Sequence, residues 1–169
     1  MAETQTLRST IDPEFSIEVD ERVIKSSLIL TNVQANTNDR GEVKVQLNQK
    51  CLEKFVQFHN HFPSATAPKD IEWTNAFFRE MPENEFKELC RQADFLDSER
   101  FIEAAGDFAL CLVEQNDVAG IQRYFDIVDD YTPVERRTME DHMLEFFTGA
   151  SIVTDADAVV SGEASADQS

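Results

Sequence analysis

Positive charge and long apolar runs are the two features that this sequence most clearly lacks. Its 15 Lys and Arg residues face 33 Asp and Glu, which gives a net charge of −18 and an isoelectric point near 4.4. Nucleic acids and anionic membrane surfaces bind proteins largely through Lys and Arg, so we expect neither as a partner. No apolar segment approaches the roughly 20 residues of a membrane span, and the first residues lack the basic and apolar regions of a signal peptide. We therefore expect a protein of the cytoplasm, the nucleus or both.

Cysteine, glycine and histidine are also scarce, and their positions argue against several chemistries. Cys51, Cys90 and Cys111 are odd in number and widely spaced, which predicts buried thiols in a reducing compartment. The five glycines are scattered, and none forms a phosphate-binding loop. His59 and His61 would lie about 200° apart around a helix and cannot both bind one metal ion. The sequence therefore predicts no cofactor, no metal site and no catalytic site.

The first third of the chain is typical of mixed strand and helix. Phe15, Ile17 and Val19 alternate with polar residues, which predicts a half-buried strand. A partner strand is expected over residues 4–10, a turn at Asp12–Pro13, and a third strand where apolar and polar residues alternate again over 43–47. Residues 23–33 mix β-branched side chains with helical spacing and are ambiguous, and a polar loop is predicted over 34–41.

From Asn48 onward the apolar residues recur at helical spacing. One helical face is formed by Leu52, Phe55, Val56, His59 and Phe62. Residues 63–69 contain two prolines and form a linker, and further helices are predicted over about 82–95 and from about 98. Beyond Gly149 the chain has no Lys or Arg and few apolar residues, so a disordered acidic tail is expected.

The clearest helix start in the sequence lies at Thr132-Pro133-Val134-Glu135. Thr132 is a good capping residue, Pro133 suits the first helical position, and Glu135 completes a reciprocal capping box. A short helix with Val118, Ile121 and Phe125 on one face precedes this segment. The helix that follows it has Met139, Met143 and Phe146 on one face.

The segment from Phe125 to Pro133 resembles the signature of the Skp-type adaptors of SCF (Skp–cullin–F-box) ubiquitin ligases. Further matching pieces occur in the family's order at 15–20, 45–47, 55–61, Trp73 with Phe77, and 93–97. The resemblance implies an α+β fold of the BTB/POZ type, with a small three-stranded sheet flanked by helices. It also implies a division into a BTB/POZ-type cullin-binding domain (1–113), a helical F-box-binding extension (114–148) and an acidic tail (149–169).

In this family a non-catalytic adaptor bridges a cullin, and through it a RING subunit, to F-box substrate receptors. The resemblance places the cullin contact at Asp94 and Phe95, where the family has an Asn-Tyr pair. A carboxylate cannot donate a hydrogen bond as Asn does, so either a basic cullin side chain faces Asp94 or the cullin contact is weaker. The alternative is that Phe95 is a core residue at a helix end.

The resemblance places the F-box contacts on the helices from Ser98 onward. The candidate residues are Phe108, Leu112, Ile121, Phe125, Ile127, Met143 and Phe146. The family's Trp near the end of the last helix is absent, and Phe146 or Phe147 is expected to replace it.

Short helices are marginally stable alone, so an apolar load this large near the end of the chain indicates either core packing or a partner. Two other functions remain open. One is a structural F-box-binding subunit of a non-ligase assembly such as a kinetochore complex, and the other is a self-associating BTB module.

Overall fold

The computed structural model describes residues 3–37 and 41–142 and has an α+β fold. In this part of the chain, strands and helices are mixed near the N-terminus, and only helices follow from residue 49 onward. The described elements are β1 (Thr4–Ser9), β2 (Ser16–Asp20), α1 (Glu21–Ser26), α2 (Leu28–Asn36), β3 (Val43–Val45), α3 (Gln49–Asn60), α4 (Ile71–Arg79), α5 (Glu83–Ala93), a 3₁₀ turn (Asp94–Leu96), α6 (Glu99–Gln115), α7 (Val118–Tyr124) and α8 (Pro133–Asp141). The small three-stranded sheet and its helices confirm the predicted BTB/POZ-like fold class.

The central strand of the sheet is β1. It pairs antiparallel with β2, with Leu7 opposite Ile17, and parallel with β3, with Leu7 opposite Val43. A backbone hydrogen bond of 2.8 Å from Phe15 N to Asp12 O closes the predicted turn. The three predicted strands are confirmed, and Leu7 is fully buried where the sheet meets the core.

The ambiguous stretch 23–33 forms two helices. Ser27 separates them because its backbone is extended, while its hydroxyl accepts a hydrogen bond from Leu30 N and so caps α2. The polar loop predicted over 34–41 begins too early, since α2 continues to Asn36. Its residues 38–40 lie outside the described residues.

Phenylalanine side chains supply most of the core between α3, α4, α5 and α6. The Phe58 ring is fully buried and lies 5.3–5.8 Å, centroid to centroid, from the rings of Phe62, Phe77, Phe78 and Phe101. Such stacked, tilted and edge-on pairs add to the stabilisation that apolar burial provides. All five residues of the predicted helical face are buried, four of them in α3 and Phe62 just after its end at Asn60: Leu52, Phe55, Val56, His59 and Phe62.

The predicted linker over 63–69 contains neither helix nor strand. It is held by Arg100 of α6, whose Nη2 donates to Ala65 O at 3.0 Å and to Ala67 O, and whose guanidinium lies 4.0 Å from the centroid of the Phe62 ring. Helix α4, which sequence patterning did not delimit, follows directly and is capped by the Asp70 carboxylate. The linker therefore returns the chain to the core instead of separating two domains.

Contacts within the chain group it into two compact units, one ending at Phe125 and one beginning at Asp126. The first contains the sheet and α1 to α7, and the second contains α8. The predicted acidic tail over 149–169 lies outside the described residues.

Candidate partner-binding surfaces

The first candidate surface is the α5–α6 turn, which comprises Asp94 to Asp97. Phe95 is 43% exposed, and Asp94 is also exposed. Leu96, which follows Phe95, is fully buried. The alternative that Phe95 is a core residue is therefore wrong. Leu96 is the residue that anchors this turn in the core, so Asp94 and Phe95 are held outward.

The backbone of the α5–α6 turn is tightly fixed. Asp97 N donates to Asp94 O at 3.1 Å, and Asp97 adopts a left-handed conformation with φ of 46°. The start of α2 braces the turn, because the Ser27 hydroxyl donates to Leu96 O and Leu28 N donates to Asp97 O at 3.1 Å. A partner that binds Phe95 meets a side chain on a preorganised support.

The second candidate surface is the α6–α7 surface, formed by exposed or half-buried apolar side chains late in unit 1. Of the predicted F-box contacts, Leu112 and Ile121 are half-buried and Phe125 is 37% exposed. Phe108 is only 3% exposed, and its ring packs against Phe86 at 5.0 Å. Phe108 thus lies in the core beneath this surface.

Sequence reasoning did not assign three members of the α6–α7 surface as contacts. Leu110, Val113 and Val118 are 58%, 38% and 72% exposed. On a helical wheel Leu110 lies on the face of α6 opposite the core-facing stripe and Val113 lies between the two faces, and apolar residues outside a regular helical stripe were the signal that could have identified them. A partner is the usual reason for apolar residues to gather at an exposed helix end.

Helix α7 is anchored to the rest of unit 1 through Tyr124. Its ring packs against the core, and Lys87 Nζ lies 5.1 Å from the ring centroid. At the other end, the Asp117 carboxylate accepts a hydrogen bond from Gly120 N at 2.8 Å. Gly120 is buried there, and a β-carbon at this position would lie 3.0 Å from the Asn116 and Asp117 side-chain oxygens. These contacts fix α7 while Phe125 stays exposed.

In the second unit, the predicted start of α8 is confirmed. The Thr132 hydroxyl accepts from Glu135 N at 3.3 Å, the Glu135 carboxylate accepts from Thr132 N at 2.8 Å, and Pro133 is the first helical residue. The Thr132 N–H and the Thr132 hydroxyl both donate to the Glu135 carboxylate and lower its pKa. The capping box therefore stabilises α8 from within the segment itself.

Unit 2 exposes its apolar residues. Ile127, Val128, Tyr131 and Val134 are between 45% and 81% exposed, and no residue of α8 is buried. Ile127 is thus accessible, as an F-box contact requires. The other two candidates in this region, Met143 and Phe146, lie outside the described residues.

A buried histidine of α3 lies beside the start of α6, directly after the α5–α6 turn. His59 Nδ1 donates to Phe55 O at 2.9 Å, and Nε2 accepts from the hydroxyl of Ser98, the residue that caps α6, at 2.8 Å. Burial lowers the pKa of His59 from 6.5 to about 4, and Arg100 contributes to the shift. The neutral imidazole therefore links α3 to the start of α6.

We predict that unfolding free energy falls as the pH drops from 6.5 towards 4. Over this window the unfolded chain takes up a proton at His59 that the folded chain refuses, so folding loses about 3 kcal/mol from this group. Urea unfolding at several pH values would measure the loss. His59→Gln should flatten the pH dependence, whereas His61→Gln, which removes an exposed imidazole, should retain it. An unchanged slope in His59→Gln would contradict the prediction.

Titratable groups elsewhere are arranged for structure. Burial raises the pKa values of the Cys51 and Cys90 thiols to about 11, so both stay protonated at neutral pH and are poor nucleophiles. His61 stacks on Trp73 with a centroid distance of 3.7 Å, and its Nε2 lies 3.1 Å from the Asp70 carboxylate.

Within residues 3–37 and 41–142, no three His, Cys, Asp or Glu side chains form a group suited to a metal ion. None of the helices described there is long and apolar enough to cross a bilayer.

Comparison with known proteins gives two similar sequences and no matching family model. The chain is 23% identical over 149 residues to the E3 ubiquitin ligase complex SCF subunit sconC of Arthroderma otae, a match that covers 79% of this chain and 90% of that protein. It is 24% identical over 133 residues to SKP1-like protein 8 of Arabidopsis thaliana, which covers 76% and 87%. Together with the fold and the order of the sequence motifs, these matches identify the chain as a distant relative of the Skp-type subunits of SCF ubiquitin ligases.

Proposed function

We propose that this chain is a non-catalytic adaptor of an SCF ubiquitin ligase. In this role it bridges a cullin scaffold, with its RING subunit, to F-box proteins that recruit substrates for ubiquitin-dependent degradation. Its two relatives are named as an SCF subunit and an SKP1-like protein, and both align over most of their length.

The observation that carries the proposal is the exposure of apolar side chains in the segment that follows α6. Val118 and Phe125 in unit 1, and Ile127 in unit 2, are each more than one third exposed. Burying a large apolar side chain is worth about 1.5–3 kcal/mol, so a partner that covers such side chains in either unit gains substantial affinity. We assign these residues, with Leu112 and Ile121, to the F-box-binding extension over 114–148 and the adjoining end of α6.

The cullin would bind the BTB/POZ-type part of the chain, residues 1–113, at Asp94 and Phe95. The exposed ring supplies an apolar contact, and the exposed carboxylate selects a basic side chain on the cullin. This turn also separates the ligase role from a purely structural F-box-binding role. Replacement of Asp94 and Phe95 should abolish the ligase role, whereas a subunit that binds only F-box proteins should tolerate it.

The adaptor contributes positioning, because holding a substrate near the ligase's catalytic end converts a random encounter into an effectively intramolecular reaction. Ubiquitin transfer itself belongs to other subunits. The raised pKa values of the Cys51 and Cys90 thiols suit this non-catalytic role. We place the protein in the cytoplasm and the nucleus, where SCF-type degradation would use it.

The proposal is tested by affinity capture and mass spectrometry with the full chain and a version that ends at Asn116. The shortened chain retains the α5–α6 turn but lacks α7 and everything after it. We expect it to capture the cullin as well as the full chain does and to lose F-box proteins by at least about tenfold. Retained cullin binding serves as the control for folding. Equal recovery of F-box proteins by both versions would contradict the proposal.

A further inference from the structure

Leu28, the first residue of α2, has a large apolar side chain that the rest of the described chain leaves exposed. It is 55% exposed, while Leu30, two residues later, is buried at 2% and Ile24 before it at 1%. Helix α2 thus has its core contacts without Leu28. An exposed leucine on its own needs no explanation, but this one lies beside the α5–α6 turn.

Two hydrogen bonds fix Leu28 beside the α5–α6 turn. Its own N–H donates to Asp97 O at 3.1 Å, and the hydroxyl of the preceding Ser27 donates to Leu96 O. Ser27 and Leu96 are both fully buried, so this junction is part of the core. Leu28 at the start of α2 and Phe95 in the α5–α6 turn therefore belong to two segments that are hydrogen-bonded to each other.

Carboxylates lie in the same α5–α6 turn. Asp94 and Asp97 are exposed, and neither has an ion-pair partner among the described residues. A partner that fits this surface has apolar side chains flanked by Lys or Arg. When the partner covers the two carboxylates they lose contact with water, and the Lys or Arg side chains then pair with them. The surface is continuous with the cullin contact proposed above.

We infer that Leu28 is a second apolar contact for the cullin N-terminal domain, and that Asp97 pairs with a basic side chain of the same domain. This inference rests on the proposed function, because it extends the Asp94–Phe95 contact to the start of α2. The specificity of the surface comes from combining two fixed apolar residues with two carboxylates. A partner with an acidic rim would be rejected.

The test measures the affinity of the full chain for a purified cullin N-terminal domain and for an F-box peptide, by calorimetry. Leu28→Ser should weaken cullin binding by roughly tenfold, whereas Leu28→Met, which keeps the apolar area, should change it little. Leu110→Ser is the matched control, because it removes a leucine of similar exposure from the α6–α7 surface. We expect this control to weaken binding of the F-box peptide and to leave cullin binding unchanged.

Asp97→Asn tests the charge without disturbing the backbone, since Asn also tolerates the left-handed conformation. It should weaken cullin binding at low salt and reduce the salt dependence of the affinity. Unchanged cullin binding in both Leu28→Ser and Asp97→Asn, with loss of binding in Phe95→Ala, would overturn the inference and leave the adaptor function intact. A wild-type chain that binds no cullin domain would instead overturn the adaptor function itself.

Discussion

A chain carrying Phe95→Ala should bind a cullin N-terminal domain at least about thirtyfold more weakly than the wild type, while its affinity for an F-box peptide stays the same. Central aromatic residues at interfaces cost about 2 kcal/mol or more when they are truncated, which corresponds to this factor. The ring is 43% exposed, and its neighbour Leu96 anchors the turn, so the substitution removes little core packing. Calorimetry or surface-based binding with both partners measures the effect.

The control for this result is Phe95→Tyr, which restores the aromatic hydroxyl of the family and should retain cullin binding. The Asp94→Asn variant restores the family's amide at the neighbouring position. With the cullin that this chain uses, we expect Asp94→Asn to weaken binding, because a basic side chain on that cullin loses its partner. Full cullin affinity in Phe95→Ala would show that the α5–α6 turn does not form the contact.

The reciprocal result is expected from Phe125→Ala. This variant should lose affinity for F-box peptides by about thirtyfold and retain full affinity for the cullin domain. Phe125 is 37% exposed, close to the exposure of Phe95, and its ring meets the Tyr124 ring edge-on at 5.1 Å. The two variants are thus matched in chemistry and exposure, and each serves as the control for the other.

Thermal unfolding monitored by circular dichroism checks that α7 stays in place in Phe125→Ala. Tyr124, which packs against the core, is unchanged in this variant, so the melting temperature should move little. An F-box peptide that binds the variant and the wild type equally well would remove Phe125 from the proposed site. Parallel loss of both partners at an unchanged melting temperature would indicate one shared surface and would contradict the two-surface arrangement.

Local features of this protein were predictable from the sequence. The capping box at Thr132 and Glu135, the turn at Asp12–Pro13 and the buried face of α3 each depend on residues within a dozen positions of one another. Such features follow from side-chain chemistry and helical or strand periodicity alone. The order of these segments along the chain also carried the resemblance to Skp-type adaptors.

Features that depend on distant segments were not predictable in the same way. Ser27, which separates α1 from α2, donates its hydroxyl hydrogen to Leu96 O, 69 residues away. The parallel pairing of β1 with β3 likewise joins residues more than 30 positions apart, with Leu7 opposite Val43. Neither partner is visible in a local window of sequence.

For the candidate surfaces, too, some features were predictable from the sequence and others depended on distant segments. Sequence alone determined the fold class, the family resemblance and the residue types that an interface needs. Only the tertiary structure decided that Phe95 is exposed while Leu96 is buried, and that Phe108 lies inside while Leu110 lies outside. The physical reason is that periodicity identifies an apolar face but not which neighbouring elements cover it, and coverage alone separates a core residue from one that is free to bind a partner.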